Sequence, residues 1–211
     1  MKSNLQRIQL FVWSFLILVI VAIVGAFIWS KVGQSGKPPL VYGEVGNFSL
    51  TNQRNEVISE KSLAGQIWIA DVIFTRCPLQ CIRMTKRMHE LQEGLTGEKS
   101  VKLVSLTTDP KFDSPEVLKT YAENVSADQS GWLFLTGPGT EITRLAVTGL
   151  KLAVYEKKPK EREVPADLFV HSTKFVLVDG RGRIRGWFDG EKPESKAEII
   201  KAVKTLVKER K

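Results

Sequence analysis

Hydrophobic periodicity divides the chain into an apolar head, a short polar stretch and a long alternation of strand-like and helix-like segments. From Leu10 to Trp29 it reads LFVWSFLILVIVAIVGAFIW, uncharged and with Ser14 as its one polar side chain. A helix over that stretch spans about 30 Å, the thickness of a bilayer's hydrocarbon core. A cleaved signal peptide is the competing reading. Its apolar region would run only about 7–15 residues, and no small-x-small cleavage site follows Trp29, so a retained anchor over 10–29 is expected. Lys2 and Arg7 flank one end and Lys31 and Lys37 the other, so charge does not decide the orientation. A short tail (1–9) kept inside with the long domain translocated is the simpler arrangement.

Residues 30–41 are rich in Gly, Pro and Lys and read as a tether to a domain over 42–211. Ile67 to Phe74 (IWIADVIF) is apolar at both alternating sets of positions, which predicts a central strand covered on each side. A helical pattern follows from about Pro78 to Leu95, then a strand over Val101–Thr107. Asp113-Ser114-Pro115-Glu116 offers a cap followed by proline in the first turn, opening a helix to about Asn124. A short strand over Trp132–Leu135, a helix over Thr140–Leu150 and a charged loop from about Glu156 to Asp167 come next. Lys174–Val178 and Arg183–Phe188 flank Asp179-Gly180-Arg181-Gly182, a hairpin signal. Ser195 and Glu198 suggest a capping box for a last amphipathic helix carrying Ile199, Ile200, Val203, Leu206 and Val207. This order predicts an α/β domain, a central mixed sheet covered by helices.

At 211 residues the chain holds one sizeable core plus its appendage. The net charge of +8 suits an anionic membrane surface or an acidic partner. It does not suggest nucleic acid, because no run of Lys and Arg interleaved with aromatics accompanies it. The basic stretch Lys157–Arg162 (KKPKER) mixes in acids and a proline and reads as a solvated loop.

Two cysteines, Cys77 and Cys81, stand four positions apart. A structural disulfide framework would close long loops; this pair closes almost nothing, so its purpose is local chemistry. It falls where the central strand hands over to a helix. Pro78 suits the first helical turn, and the free amides there, with Arg76 and Arg83, favour a Cys77 thiolate. A spacing of four puts both sulfurs on one helix face, able to close a disulfide or present two soft donors to a metal. Two inert buried cysteines are the plainer alternative.

Two sulfurs alone make an incomplete metal site. His89 lies two turns further along the helix and reads as a surface residue, whereas His171, at the start of a strand after a loop, is the candidate third ligand. Met84 and Met88 are soft donors, but Cys81, Met84, Met88, Leu91 and Leu95 form one stripe at helical spacing and read as core. Asp71 shares a strand face with Ile67, Ile69 and Ile73, which predicts burial and a raised pKa. It stands six residues before Cys77, the offset of the buried aspartate in thioredoxins. It is a candidate proton relay for Cys81, with a structural aspartate as the alternative.

The runs WIADVIFTRCPLQCIRMTKRM, VKLVSLTTDPKFDSPEVLKTYAE and HSTKFVLVDGRGRIRGWFDG together resemble the Sco/SenC family of copper-binding, thioredoxin-like proteins, from about Tyr42 to the C-terminus. The resemblance implies a thioredoxin-like fold, an N-terminal membrane anchor and a domain on the outer, periplasmic face of the inner membrane. It implies copper delivery to, or reduction of, the dinuclear copper centre of cytochrome c oxidase, with the copper-bearing subunit or another copper protein as partner. Carried over by position, the copper ligands fall on Cys77, Cys81 and His171. An aspartate near the copper site falls on Asp109, which also reads as a turn residue before Pro110. Many members have proline where this chain has Ile82, and aspartate where it has Val170. Neither change removes a ligand, though the missing acid alters what orients His171; Asp167 is near but does not match in position. Zinc accepts the same donors. A copper chaperone therefore ranks ahead of a thiol–disulfide oxidoreductase with Cys77 attacking and Cys81 resolving, and both rank ahead of a purely structural module.

Overall fold

Strand Ile67–Ile73 is buried along its whole length, and the domain is arranged around it. The computed structural model describes residues 2–33, 40–77, 80–164 and 167–209. It divides into two units, 1–38 and 39–211. Pro78, whose expected place is the first turn after Cys77, and tether residues 34–39 lie outside the described residues.

The first unit is helix α1 (Lys2–Gly33). Its window Ile8–Phe27 has a mean hydropathy of 2.9 and is long and apolar enough to cross a membrane. The second unit runs β1 (Gly43–Glu44), β2 (Ser49–Asn52), β3 (Val57–Ser59), β4 (Ile67–Ile73), α2 (Gln80–Gly94), β5 (Val101–Thr107), α3 (Pro115–Asn124) and β6 (Trp132–Thr136). It continues through α4 (Gly139–Thr143), a π-helical turn (Arg144–Gly149), β7 (Val154–Glu156), a 3-10 turn (Pro159–Glu161), β8 (Phe169–His171), β9 (Lys174–Val178), β10 (Arg183–Asp189) and α5 (Ser195–Glu209).

Eight strands form one sheet in the order β1-β10-β9-β4-β5-β6-β2-β3. β4, β5 and β6 pair in parallel, and the flanking pairs are antiparallel, so the sheet is mixed. Strand alternation assigns the two faces of β4. Ile67, Ile69 and Ile73 pack with Met84, Met88 and Leu91 of α2, Leu118 of α3 and Ile199 and Val203 of α5. Trp68, Ala70 and Val72 face a second cluster containing Ile142 and Leu145. Both faces are covered, which is why β4 carries no apolar–polar alternation.

Helix α3 starts as its sequence suggests: Ser114 Oγ accepts from the Val117 amide at 3.3 Å and Pro115 occupies the first turn. Three expectations shift. The helix expected over 140–150 widens into a π-helical turn, where the Leu150 amide reaches back to the Leu145 carbonyl at 2.7 Å. That turn ends with Gly149 so close to the Val45 carbonyl that a Cβ would stand 2.8 Å from it. The last helix begins on Ser195 itself, and the Glu198 amide bonds to Glu194, so Ser195 lies inside the first turn and the expected box is not made. Finally, the charged segment 156–167 carries the end of β7 and the 3-10 turn, held by Lys157 Nζ on Asp167 Oδ2 at 2.5 Å.

Candidate metal centre

Cys77 and Cys81 are placed by the abrupt turn out of β4. The Cys77 amide closes on the Phe74 carbonyl at 3.2 Å, which stops the strand. The Phe74 amide points to Cys81 Sγ at 3.4 Å and the Cys81 amide to Cys77 Sγ at 3.3 Å. The second contact places the sulfur of Cys77 at the start of α2, where amides without intrahelical partners favour negative charge. Cys77 is half-buried and Cys81 is buried; both are free thiols.

The third group arrives from a separate ribbon. β7 and β8 pair antiparallel, Val154 opposite His171, and this carries His171 over the cysteines. Its Nε2 lies 3.2 Å from Cys81 Sγ and its Nδ1 3.3 Å from the Ser172 carbonyl. With Nδ1–H donated to that carbonyl, the lone pair of Nε2 faces the sulfurs. Phe74 meets the imidazole edge-on at 5.8 Å and Phe169 at 5.3 Å, forming an apolar wall. The donor atoms of Cys77, Cys81 and His171 all lie within 4.8 Å of one another. Metal–sulfur and metal–nitrogen bonds of about 2.0–2.3 Å let one ion touch donors up to about 4.6 Å apart, so a slight side-chain contraction suffices to close the set.

Buried titratable groups lie among and beneath these donors. Cys81 is pushed far above the ordinary thiol range by its contact with Cys77 and by burial, so it carries its proton at neutral pH. Asp71 is fully buried, and burial pushes its carboxyl up to about 7 against the opposing influences of Ser105 and His171. Ser105 Oγ donates to Asp71 Oδ1 at 2.6 Å and itself accepts from Trp132 Nε1 at 2.9 Å. Asp71 Oδ2 has no hydrogen-bond partner among the described residues.

The family model described as SCO1/SenC matches residues 39–208. The chain belongs to the SCO1/SenC family. A SCO1 protein homolog of Bacillus subtilis is 36% identical to it over 181 residues, covering 85% of this chain and 90% of that protein. The structure of BsSco, a Sco-family cytochrome c oxidase assembly protein with a disulfide switch, superposes with a TM-score of 0.69 at 35% identity, covering 82% of this chain and 97% of that one. Copper-bound ScoI of Bradyrhizobium japonicum superposes at 0.62 with 25% identity, covering 74% and 96%. The mixed sheet with flanking helices is thus the thioredoxin-like architecture of Sco proteins.

The other residues singled out in this SCO1/SenC chain fall into place as follows. Asp109 is buried and accepts from Arg76 Nη2 at 2.5 Å and Nε at 3.2 Å, while its carbonyl takes the amides of Phe112 and Asp113. It is both a turn residue and a clamp on the neighbour of Cys77. Arg83 pairs with Glu191 at 2.9 Å. The two arginines expected to favour a Cys77 thiolate are therefore engaged with carboxylates, and the Cys81 amide is a donor seen at that sulfur. His89 sits on α2 with Nδ1 3.9 Å from Glu93, outside the cluster, and Met84 and Met88 are core residues. Ile82 is 60% exposed, Val170 is paired with Tyr155, and Asp167 is engaged with Lys157.

Asp113 is the residue that sequence reading undervalued, taking it for part of a cap. It is buried, accepts from the Thr75 amide at 3.2 Å and from the hydroxyls of Thr75 and Thr107, and so fixes the turn two residues ahead of Cys77. Burial raises its pKa. Its partners lie 38 and 6 positions away, and nothing local to Asp113 announces them.

Proposed function

We propose that this chain is a membrane-anchored copper chaperone. It holds copper as cargo on Cys77 Sγ, Cys81 Sγ and His171 Nε2 and delivers it to the dinuclear copper centre of cytochrome c oxidase. The observation that carries this reading is the convergence of two thiols and one imidazole within 4.8 Å at the mouth of a thioredoxin-like fold. Two sulfurs and an imidazole suit Cu(I). Copper bound to ScoI of Bradyrhizobium japonicum and the description of BsSco as an oxidase assembly protein support the metal and the destination. Loading displaces the thiol protons, and the buried Asp71 carboxylate is a nearby acceptor for that of Cys81. Release proceeds by ligand exchange, beginning at half-buried Cys77 and ending with buried Cys81 and His171.

The proposed layout is a tail (1–9), a transmembrane anchor (10–29), a tether (30–41) and the copper domain (42–211), with the domain on the outer face of the inner membrane. The apolar window Ile8–Phe27 supports the anchor. The test is transfer: Cu(I)-loaded full chain in detergent is mixed anaerobically with the apo copper domain of the oxidase subunit. Copper should move to the recipient; retention by the donor, or failure of the chain to load, would refute the reading.

One observation favours a second use of the same sulfurs. Asp71 beneath the site has an unbonded Oδ2 and a pKa near neutrality, as a proton relay in thiol–disulfide exchange requires. BsSco carries a disulfide switch. A reductase role predicts that His171→Ala retains reduction of partner cysteines while Cys77→Ser abolishes it.

A further inference from the structure

Beside the metal centre lies a cleft of about 730 Å³ for which copper binding has no use. Arg76, the neighbour of Cys77, and Phe169, two residues before His171, stand at the site's edge and also line the cleft. Its apolar lining includes Phe112, Ile142 and Leu168, with Phe112 44% exposed.

Backbone also forms part of its wall. All three residues of β7 line the cleft, although Tyr155 alternates to the opposite side of the ribbon from Val154 and Glu156, so the main chain itself bounds it. β7 pairs on one edge with β8. The Ala153 carbonyl accepts from the Ser172 amide and the Lys157 amide donates to the Leu168 carbonyl, which turns the odd-numbered positions toward β8. By alternation, the amides and carbonyls of Val154 and Glu156 point to the other edge, where no strand pairs with β7 among the described residues. An open edge beside an apolar cleft is the feature that adds an extended peptide as a further strand.

Charge narrows the occupant. On the rim Arg76 pairs with Asp109, and Arg162 lies 3.6 Å from Glu156, which leaves exposed Lys111 without an acidic partner among the described residues. We propose that this cleft and the open edge of β7 dock an extended segment of the protein that receives the copper. That segment carries an apolar or aromatic side chain for the cleft and an acidic one for Lys111, and it is held so that its metal-binding side chains reach Cys77. The proposal rests on the copper-delivery reading and adds the surface on which delivery takes place.

The test uses the full chain in detergent and, as probe, the soluble copper domain of the oxidase's copper-bearing subunit. In wild type, saturating probe should slow hydrogen exchange at least about 10-fold in peptides covering Val154 and Glu156. Glu156→Pro removes an outward amide without touching a bond to β8, and Phe112→Ala trims the lining. Each should raise the probe concentration needed for half-maximal copper transfer about 10-fold. Glu156→Pro should leave the chain's own Cu(I) affinity unchanged, and because the Phe112 ring also carries the Arg76 guanidinium at 4.1 Å, transfer by Phe112→Ala is compared at equal copper loading. Protection mapping only to the exposed faces of α2 and α5, or unaltered transfer by both variants, would overturn the docking surface while leaving copper delivery intact. Absence of any transfer from wild type would instead remove the delivery reading. Should Glu156→Pro lose Cu(I) affinity through misfolding, Phe112→Ala and the exchange data decide.

Discussion

His171 Nε2 stands 3.2 Å from Cys81 Sγ although 90 positions separate the two residues. The contact depends on the β7–β8 ribbon swinging His171 over the start of α2, and it puts the proposed metal and redox chemistry in one place. A disulfide between Cys77 and Cys81 removes both thiolate donors. The oxidised chain is therefore expected to lose more than about 100-fold in Cu(I) affinity, with full recovery on reduction. Competition against a Cu(I) chelator before and after thiol reduction checks this.

Asp71 predicts a signature in stability. An unfolded aspartate titrates near 4, whereas burial holds the folded carboxyl up to about 7. Between these values the folded chain keeps a proton that the unfolded chain has lost, so stability falls as pH rises through the window and levels off above it. The full effect is on the order of 4 kcal/mol as an upper bound. Asp71→Asn should flatten the dependence and be the more stable form at pH 8, measured by urea unfolding of the reduced, metal-free protein. If the same variant leaves the pH dependence of Cys77–Cys81 oxidation unchanged, the relay role is wrong and a structural one stands.

Gly190 is a packing constraint beneath the site. A Cβ there would stand 2.6 Å from Met84 Sδ and 2.7 Å from the Thr173 carbonyl. Met84 lies one turn beyond Cys81, and Thr173 two residues beyond His171. Gly190→Ala should cost about 1–3 kcal/mol and weaken Cu(I) binding by pushing these elements apart. Thermal unfolding and a copper titration on the same sample test both parts.

Asp109 acts through Arg76. Its side chain is buried whereas that of Arg76 is 43% exposed, so on removal of the carboxylate the guanidinium can rehydrate. Asp109→Ala is expected to cost about 1–2 kcal/mol and to reduce copper affinity several-fold, because the turn before Cys77 loosens. Asp109→Asn, which keeps an acceptor, should recover part of both losses.

Much of the fold is legible in the sequence because the central elements are strongly patterned. The apolar run of β4, the cap at Ser114 and the turn residues of the β9–β10 hairpin each declare themselves locally. What is not legible depends on distant partners. β1, β2 and β3 are short strands of two to four residues whose pairing is set by β10 and β6, and β7 exists only because β8 lies opposite it. The same holds within the site. The spacing of Cys77 and Cys81 marks the pair as chemical, but only the fold brings His171 to it and places Asp113 behind the Thr75 turn.

The central claim is that His171 is the third donor of a copper site built on Cys77 and Cys81. Its most direct test is the Cu(I) affinity of the reduced chain against that of His171→Ala, measured anaerobically by chelator competition. A loss of more than about 10-fold, with folding unchanged, is the predicted result, since removing a ligand should exceed what loss of a ligand's supporting partner costs. Equal affinity in the two proteins would contradict the account.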